Sequence, residues 1–498
     1  MADLIYDRLK AIVGADRVTA DAKTLAKYSR DQSFVRPCMP DYVAFAESVR
    51  EVEDVLKAAQ ETKTPVVPVS SGMNLRGAAI PKEGGIILDL SRMNKIAEIN
   101  DREGWAVIEP GVTYGQLADA LEKQNLRVMM PLGVPRSRSV ITSIIEGDTT
   151  LASASFEYGN SLYLDWEVVM PTGWTWRVGK WRQRVNGEWS TPGGGGKLTT
   201  NVWTWMWETA QGSVGLVTGL VVKVEPLLPK FSKVFVIPFD TLEKAIEPLR
   251  RIQRKEIGLE CFLLNNFNLA AVRTDDWAVP ETLPCAKGDT NEFDSIRGRL
   301  PKWTMVIHLA ALPYFPEEKV AYEEEALRTL CSEMGLPLAQ TVAGEEGLEA
   351  TLLDSILHPW GALKKARFKG SFHPVTFYTT LKRVPEFEEA VLALAQEHGY
   401  SPGDIGSYVV PIERGRSCYL EFDFHCDLED ADDVEKVRKL WLQANKLCAD
   451  MGAVLDKPYG PCADIIYSRV NPTYVNIIKD WKKELDPENI LNPGTLCY

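Results

Sequence analysis

The sequence contains no CxxC pair, no dense run of Lys and Arg, and no stretch of eighteen uncharged apolar residues. Each absence removes a class of protein. The cysteines, nine in number and scattered from Cys38 to Cys497, match neither a disulfide framework nor the ligand spacing of a zinc or iron-sulfur site. No bound metal is expected, and a reducing, cytoplasmic setting is. A formal net charge of -13 with no local basic run opposes a polyanionic partner, so nucleic acid is excluded as well. The opening residues MADLIYDRLKAIVG mix charges at helical spacing and lack a basic patch followed by an apolar core. Neither export nor a membrane span is expected.

What is present is ordinary for a folded globular chain: 45% hydrophobic and 25% charged residues over a length of 498. That length exceeds what one hydrophobic core usually organises, so two domains, or one split by another, are expected. Residues 3 to 28 read as two short helices, the second capped by Thr19. From residue 41 the pattern alternates: strand YVAFAES, helix VREVEDVLKAAQETK, strand TPVVPV, a Gly-rich loop, and strand GGIILDL. The following strand, turn and helix carry a capping box at Thr113 and Gln116, with Val112 and Leu117 as its hydrophobic staple. A strand pair with a Pro-Thr-Gly turn follows, then a loop holding Gly193 to Gly196, then the β-branched strand of GSVGLVTGLVVKV. Beyond residue 230, longer strand and helix units indicate a second α+β domain, and the chain closes with LDPENILNPGTLCY.

The loop PVSSGMNLRGAA, residues 68 to 79, is the first chemical signal. Its glycines allow the positive φ that turns successive backbone N–H groups toward an anion, as a pyrophosphate requires. Alone, the same loop also reads as a tight structural turn. It is neither a Walker A loop nor GxGxxG. The order of its neighbours narrows the choice: LDLSRMNKI, VIEPGVTYGQLADAL, EYGNSLYLDWEVVMPTG, GSVGLVT and the terminal NPG follow in that sequence.

This order resembles the vanillyl-alcohol oxidase and p-cresol methylhydroxylase superfamily, which also holds FAD-linked glycolate and D-lactate dehydrogenases. The resemblance implies an α+β fold with a two-subdomain FAD-binding domain over residues 1–228, a cap or substrate domain over 229–455, and a C-terminal segment, 456–498, that returns to the FAD domain. It implies FAD contacts from Ser70, Ser71, Gly72, Met73, Asn74 and Gly77, with Arg76 at the loop's end, from Pro110 and Gly111, and from Gly212, Ser213, Gly215, Val217 and Asn492. FAD is expected to be bound without a covalent link, Cys418, Tyr419 and His425 being the nucleophiles available for one.

The resemblance has departures. Phenol-oxidising members place an acidic residue in the segment matching MMPLGVPRSRSV, and that segment has none here. Glycolate-type members carry several cap histidines, whereas YVVPIERGRSCYLEFDFHCD has one.

Candidate catalytic residues are Arg414 and Arg416, which could bind a carboxylate or phenolate in a bidentate manner, or else form a structural ion pair with Glu413. His425 and His373 are candidate proton acceptors, each also readable as a satisfied core residue. Lys457, Tyr459 and Tyr467 lie where phenol-binding relatives hold the substrate oxygen, and Tyr158 lies near the expected flavin face. Seven tryptophans between Trp174 and Trp207 form an aromatic wall, a partner contact, or a packed hairpin; WTWMW as a strand would put three indoles on one face. The reading is oxidation of a small alcohol, a 2-hydroxy acid or an aromatic or benzylic compound, by hydride transfer to flavin N5. Its alternative is an electron-relaying flavin subunit of a larger complex. An electron-acceptor protein or redox partner subunit and an oligomeric state are expected in either case.

Overall fold

In the computed structural model the described residues are 2–73, 75–151, 162–178, 184–185, 188–189, 207–311 and 314–497. Asn74, Tyr158, Gly193 to Gly196, Trp181, Trp203 and Trp205 lie outside them, as do the FAD-face and WxWxW readings that rest on those positions.

Three sheets carry the architecture. The first orders its strands Val18–Thr19, Tyr42–Phe45, Ile86–Asp89 and Val66–Val69, with the last three mutually parallel. Parallel strands need crossovers, and the amphipathic helix Val49–Thr62 supplies one, capped by Ser48, whose hydroxyl accepts from Glu51 N–H. The preceding short helix, Ala22–Ala26, is capped by Asp21 and not by Thr19. The Thr19 hydroxyl instead accepts from Asp21 N–H, so the cap sits two residues later than the threonine suggests.

The second sheet is antiparallel, in the order Ile96–Asn100, Trp105–Ile108, Leu216–Lys223, Tyr163–Val169, Thr175–Val178. Helix Tyr114–Glu122 beside it has the expected capping box, and Val112 and Leu117 are buried in one core. Trp176 and Trp207 turn into that core as well: Trp207 lies edge-on to Trp166 at 5.5 Å and to Trp176 at 5.1 Å. This inward packing is the hairpin alternative for those two indoles, while Trp174 is exposed.

The third sheet has six antiparallel strands, ordered Lys233–Phe239, Trp303–Leu309, Glu260–Asn265, Ile405–Ile412, Ser417–Cys426, Ser371–Thr379. Helices cover both faces, and side-chain alternation decides which residue meets which. Along Ser417–Cys426, Cys418, Leu420, Phe422, Phe424 and Cys426 enter the core under helices Leu242–Arg254, Val384–Glu397 and Ala431–Asp450. Tyr419, Glu421, Asp423 and His425 project from the opposite face.

The chain end returns to the first sheet. Leu491 bridges Val66 in parallel, Val66 N–H donates to Ile490 C=O at 2.7 Å, and Asn492 N–H donates to Val66 C=O at 2.9 Å. The buried Asp486 carboxylate accepts from Ile490 N–H, Leu491 N–H and Lys482 Nζ, which fixes this return.

A buried ion pair ties the third sheet to the strand Leu126–Arg127: Arg127 donates to Glu260 Oε1 at 2.8 Å, and Glu260 Oε2 lies 2.5 Å from His308 Nδ1. Burial favours the neutral acid, but Arg127 and His308 outweigh it and hold Glu260 down at about 2. A carboxylate with a depressed folded pKa contributes stability above its ordinary value of 4.5, and loses it as pH falls toward 2. Glu260→Gln leaves the Arg127 guanidinium buried without its counter-charge, so a loss of about 3–5 kcal/mol is expected in urea unfolding at pH 7. A loss below about 1 kcal/mol would show that this pair does not hold the sheets together.

Candidate active site

Three adjoining cavities lie between the sheets. The first, about 880 Å³, is lined by Pro68 to Met73, Ala78, Ala79, Leu90, Pro110, Arg138, Ile141, Thr142, Ile145, Glu146, Trp207, Gln211, Gly212 and Gly215 to Val217. One part offers small hydroxyls and backbone: Ser70 and Thr142 hydroxyls stand 2.5 Å apart, and Ser71 Oγ accepts from Ser139 N–H. Gly72 has φ +70°, and a Cβ there would project into open space with no atom within 4 Å. The rest is apolar, from Leu90, Ile141, Ile145, Trp207, Leu216 and Val217. A polar, glycine-crested stretch beside an apolar slot has the chemistry to hold a diphosphate and a flat ring together.

Of the residues expected here, Ser70, Ser71, Gly72, Met73, Pro110, Gly212, Gly215 and Val217 line this cavity. Four others act at one remove. Gly111 and Gly77 are close-packing positions, where a Cβ would come within 2.4 Å of Ser91 C=O and 2.3 Å of the Val35 side chain. The Ser213 hydroxyl is spent on Ala210 C=O. Asn492 donates from its amide to Ala78 C=O and Gln211 C=O, stapling the loop's end to the second glycine segment.

The second cavity, about 720 Å³, shares Arg138 and Glu146 with the first. Its walls include Arg76, Pro131 to Pro135, Asp148, Thr149, Lys365, Phe372, Pro374, Tyr408, Tyr419, Glu421 and Lys457. The buried Arg138 guanidinium donates to Glu146 Oε2 at 2.7 Å, to Asp148 Oδ2 at 3.0 Å and to Met73 C=O at 3.3 Å. Burial alone would neutralise Asp148, but Arg138, Lys457 and Arg76 hold its carboxyl down at about 2. Lys457, itself buried, donates to Glu146 C=O and pairs with Asp456 at 3.1 Å. Neither acid was expected. The segment 129–140 does lack one, yet helix Val140–Ile145 ends immediately before Glu146 and carries both carboxylates back to the cavity.

The opposite wall comes from the third sheet. Lys365 donates to Asp423 Oδ2 at 2.6 Å and to Glu421 Oε1 at 3.0 Å, and the Tyr419 hydroxyl donates to Glu421 Oε2 at 2.7 Å. Two carboxyls face one ammonium in a dry setting, so one of them keeps its proton. Burial and the neighbouring Glu421 push Asp423 well above the carboxylate range, while Lys365 and Tyr419 keep Glu421 ionised against its own burial. Burial also holds Tyr408 and Tyr419 protonated. Lys365 and the two acids, like Arg138, were absent from the sequence expectation. The spacing of Glu421, Asp423 and His425 at every second residue is the signal that one strand face would be polar.

Other expected catalytic residues lie elsewhere. Residues 413–416 form the turn between two strands and do not continue the alternation, which corrects the placement of Arg414 and Arg416 in the pocket. Both are exposed; Arg414 pairs with Glu256 at 3.1 Å, a structural ion pair with a different glutamate. His425 is fully buried against Phe267 at 4.5 Å and Phe368 at 5.5 Å, and lines none of the three cavities. Burial first, and Lys365 and Lys369 next, keep it neutral, and neither ring nitrogen has a partner among the described residues. Lys457 and Tyr459 do reach the site; Tyr467 does not line it.

Comparison with known proteins decides the cofactor. A model described as FAD binding domain matches residues 40–179, and one described as FAD linked oxidases, C-terminal domain, matches residues 379–496. The chain belongs to the FAD-linked oxidases. It is 32% identical over 178 residues to the 4-cresol dehydrogenase [hydroxylating] flavoprotein subunit of Pseudomonas putida, a match that spans 34% of each chain. It is 23% identical to glycolate oxidase subunit GlcD of Bacillus subtilis, over 94% of this chain and 91% of that one. In fold it is similar to p-cresol methylhydroxylase with substrate bound, with a TM-score of 0.80 at 18% identity over 99% of this chain and 96% of the other. The chain is thus an α+β protein with the fold of p-cresol methylhydroxylase that carries FAD. Among the described residues no helix is long and apolar enough to cross a membrane, and no cluster of His, Cys, Asp and Glu could hold a metal.

Gly72→Val puts a branched side chain where φ is +70° and where the first cavity opens, which costs about 1–3 kcal/mol in backbone strain alone. Purified Gly72→Val is expected to bind FAD at least about tenfold more weakly, read as flavin released per chain on denaturation across an FAD titration. Unchanged affinity would remove the loop crest from the FAD site.

Proposed function

We propose that this FAD-linked oxidoreductase oxidises an uncharged aromatic or benzylic alcohol. The observation that carries this reading is the internal charge balance of the second cavity beneath an aromatic wall. On its wall Arg76, Arg138, Lys365 and Lys457 face Glu146, Asp148 and Glu421; behind the wall Asp456 pairs with Lys457 at 3.1 Å, and Asp423 beside Lys365 keeps its proton. A carboxylate substrate brings one further buried negative charge with no cation left over to match it, which is costly in a dry site. A neutral alcohol adds none. Phe372, Tyr408 and Tyr419 bring three aromatic rings to the wall, which favours an aromatic body over a small hydroxy acid.

When bound, FAD would supply the acceptor for the hydride that leaves the substrate carbon. The chain's own residues bind, orient and take the proton. Ser70, Ser71, Gly72 and Met73 hold the diphosphate, Pro110, Gly212, Gly215 and Val217 shape the remaining slot, and Asn492, Gly77, Gly111 and Ser213 support them. The Tyr419 hydroxyl and the ionised Glu421 carboxylate give a substrate hydroxyl a proton acceptor on the cavity wall. Lys457 and Tyr459 hold the substrate from the other side; Arg414, Arg416 and His425 take no part. We infer that FAD is held without a covalent bond: Cys418 faces the helix-covered core, His425 is boxed by phenylalanines, and the Tyr419 hydroxyl, although on the cavity wall, is engaged as a donor to Glu421. Residues 1–228 bind FAD, 229–455 cap the site, and 456–498 return to the FAD domain. The Pseudomonas relative's name designates a subunit, which supports a partner chain as the electron acceptor here too.

Anaerobic mixing with benzylic alcohols is expected to bleach the flavin, whereas glycolate and D-lactate leave it oxidised; bleaching by the hydroxy acids alone would overturn the assignment. Glu421→Gln is expected to retain FAD and slow this reduction by about 100-fold. A wild-type rate in that variant would move the proton acceptor to the Asp148 side of the cavity. Acid precipitation of the holoenzyme is expected to leave a colourless pellet, and a yellow, fluorescent pellet would establish a covalent link.

A further inference from the structure

The third cavity, about 550 Å³, opens from the second through the shared residues Leu75, Arg76, Pro374 and Lys457. Its other walls are Ser33, Phe34, Val35, His373, Thr376, Trp441, Asn445, Leu455, Tyr459, Pro461 and Cys462. It shares no residue with the first cavity, so it does not continue the FAD slot. The only charged side chains on it are Arg76 and Lys457, both at the junction. Beyond them two polar groups are turned back on the chain: the Trp441 indole N–H donates to Pro374 C=O at 3.0 Å, and the Asn445 amide donates to Trp441 C=O at 2.8 Å. The Phe34 ring stacks on His373 at 4.0 Å, and Trp441 stands 5.7 Å away. Burial keeps His373 neutral, its pKa pushed down to about 3, and holds the Cys462 thiol up at about 12. A chamber with hydrocarbon walls gives water few partners, so an apolar occupant is favoured there.

We propose that this chamber is the second half of the substrate site and takes an uncharged alkyl or aryl arm carried by the same molecule whose alcohol lies in the second cavity. The inference rests on the oxidoreductase reading above and adds a length and polarity requirement to it. Two ligands binding separately are disfavoured because the chambers share both cations and two apolar walls. The arm lies against Phe34, Trp441 and Pro374, and the cations mark the boundary between the polar head and the tail.

The test titrates oxidised holoenzyme with para-alkyl benzaldehydes, methyl through butyl, and reads each Kd from the flavin absorbance shift. Kd is expected to fall by about fourfold per added methylene, from the transfer of hydrocarbon out of water. Cys462→Phe and Val35→Phe, which fill the chamber from two parts of its wall, are each checked for flavin content and melting temperature and are expected to flatten that gradient. A Kd that does not fall along the wild-type series overturns the proposal. So does a gradient that survives unchanged in a folded, flavin-loaded variant from either wall. Reduction of the flavin by benzyl alcohol is read separately: its absence sinks the substrate reading, whereas the Kd gradient still decides the chamber.

Discussion

The site depends on the Arg138 guanidinium. It lines both the first cavity, proposed for FAD, and the second, proposed for the substrate, donates to the Met73 carbonyl of the glycine loop, and pairs with Glu146 and Asp148. Removing it takes the ion-pair partner from the half-buried Glu146, weakens the cation set around Asp148 and frees the Met73 carbonyl of the loop in one step. Its neighbour Ser139 extends the same hub: its N–H donates to Ser71 Oγ and its hydroxyl to Pro110 C=O, which joins the loop to the Pro-Gly turn. Six residues, 138 to 143, therefore hold the first cavity in register with the second.

Polarity in this protein is arranged in sets. Lys365 with Glu421 and the protonated Asp423, and Arg127 with Glu260 beside His308, match charge within the set, while Arg138 shares Asp148 with Lys457 and Arg76 and holds Glu146 directly. Such sets add little net stability compared with hydrocarbon of the same volume, but each fixes a single arrangement of the elements that carry it. The Lys365 set fixes the polar face of Ser417–Cys426, and the Arg127 set fixes that sheet against the FAD-binding part. A fold shared at 18% identity does not carry a substrate with it, and these sets are where chemistry is written onto the scaffold.

The order of elements was legible in the sequence because it rests on local rules: period-two strands, a capping box at Thr113, and glycines at turns. The loop at 68 to 79 and the second glycine segment were legible for the same reason, since positive φ and close backbone approach leave a mark on the chain. The pocket was not, because its charges meet only in three dimensions. Arg138 lies ten residues from Asp148, but Lys365 and Glu421 are 56 residues apart, and Arg76 and Lys457 come from opposite ends of the chain. Arg414 and Arg416 misled because strand alternation was carried through a turn, where positive φ at Glu413 and Arg414 breaks it. His425 misled because an imidazole, titrating near neutral pH, reads as a proton acceptor, while in the fold Phe267 and Phe368 pack against it and it lines none of the three cavities.

The central claim is that the substrate cavity is neutral as built and accepts an uncharged alcohol. Benzyl alcohol and mandelate share a phenyl ring and a carbinol carbon and differ by one carboxylate, so their anaerobic rates of flavin reduction, compared in one preparation, isolate that charge. Faster reduction by benzyl alcohol is predicted. Reduction by mandelate with benzyl alcohol inert would contradict the account, because it requires a cation in the cavity that is free to receive the carboxylate.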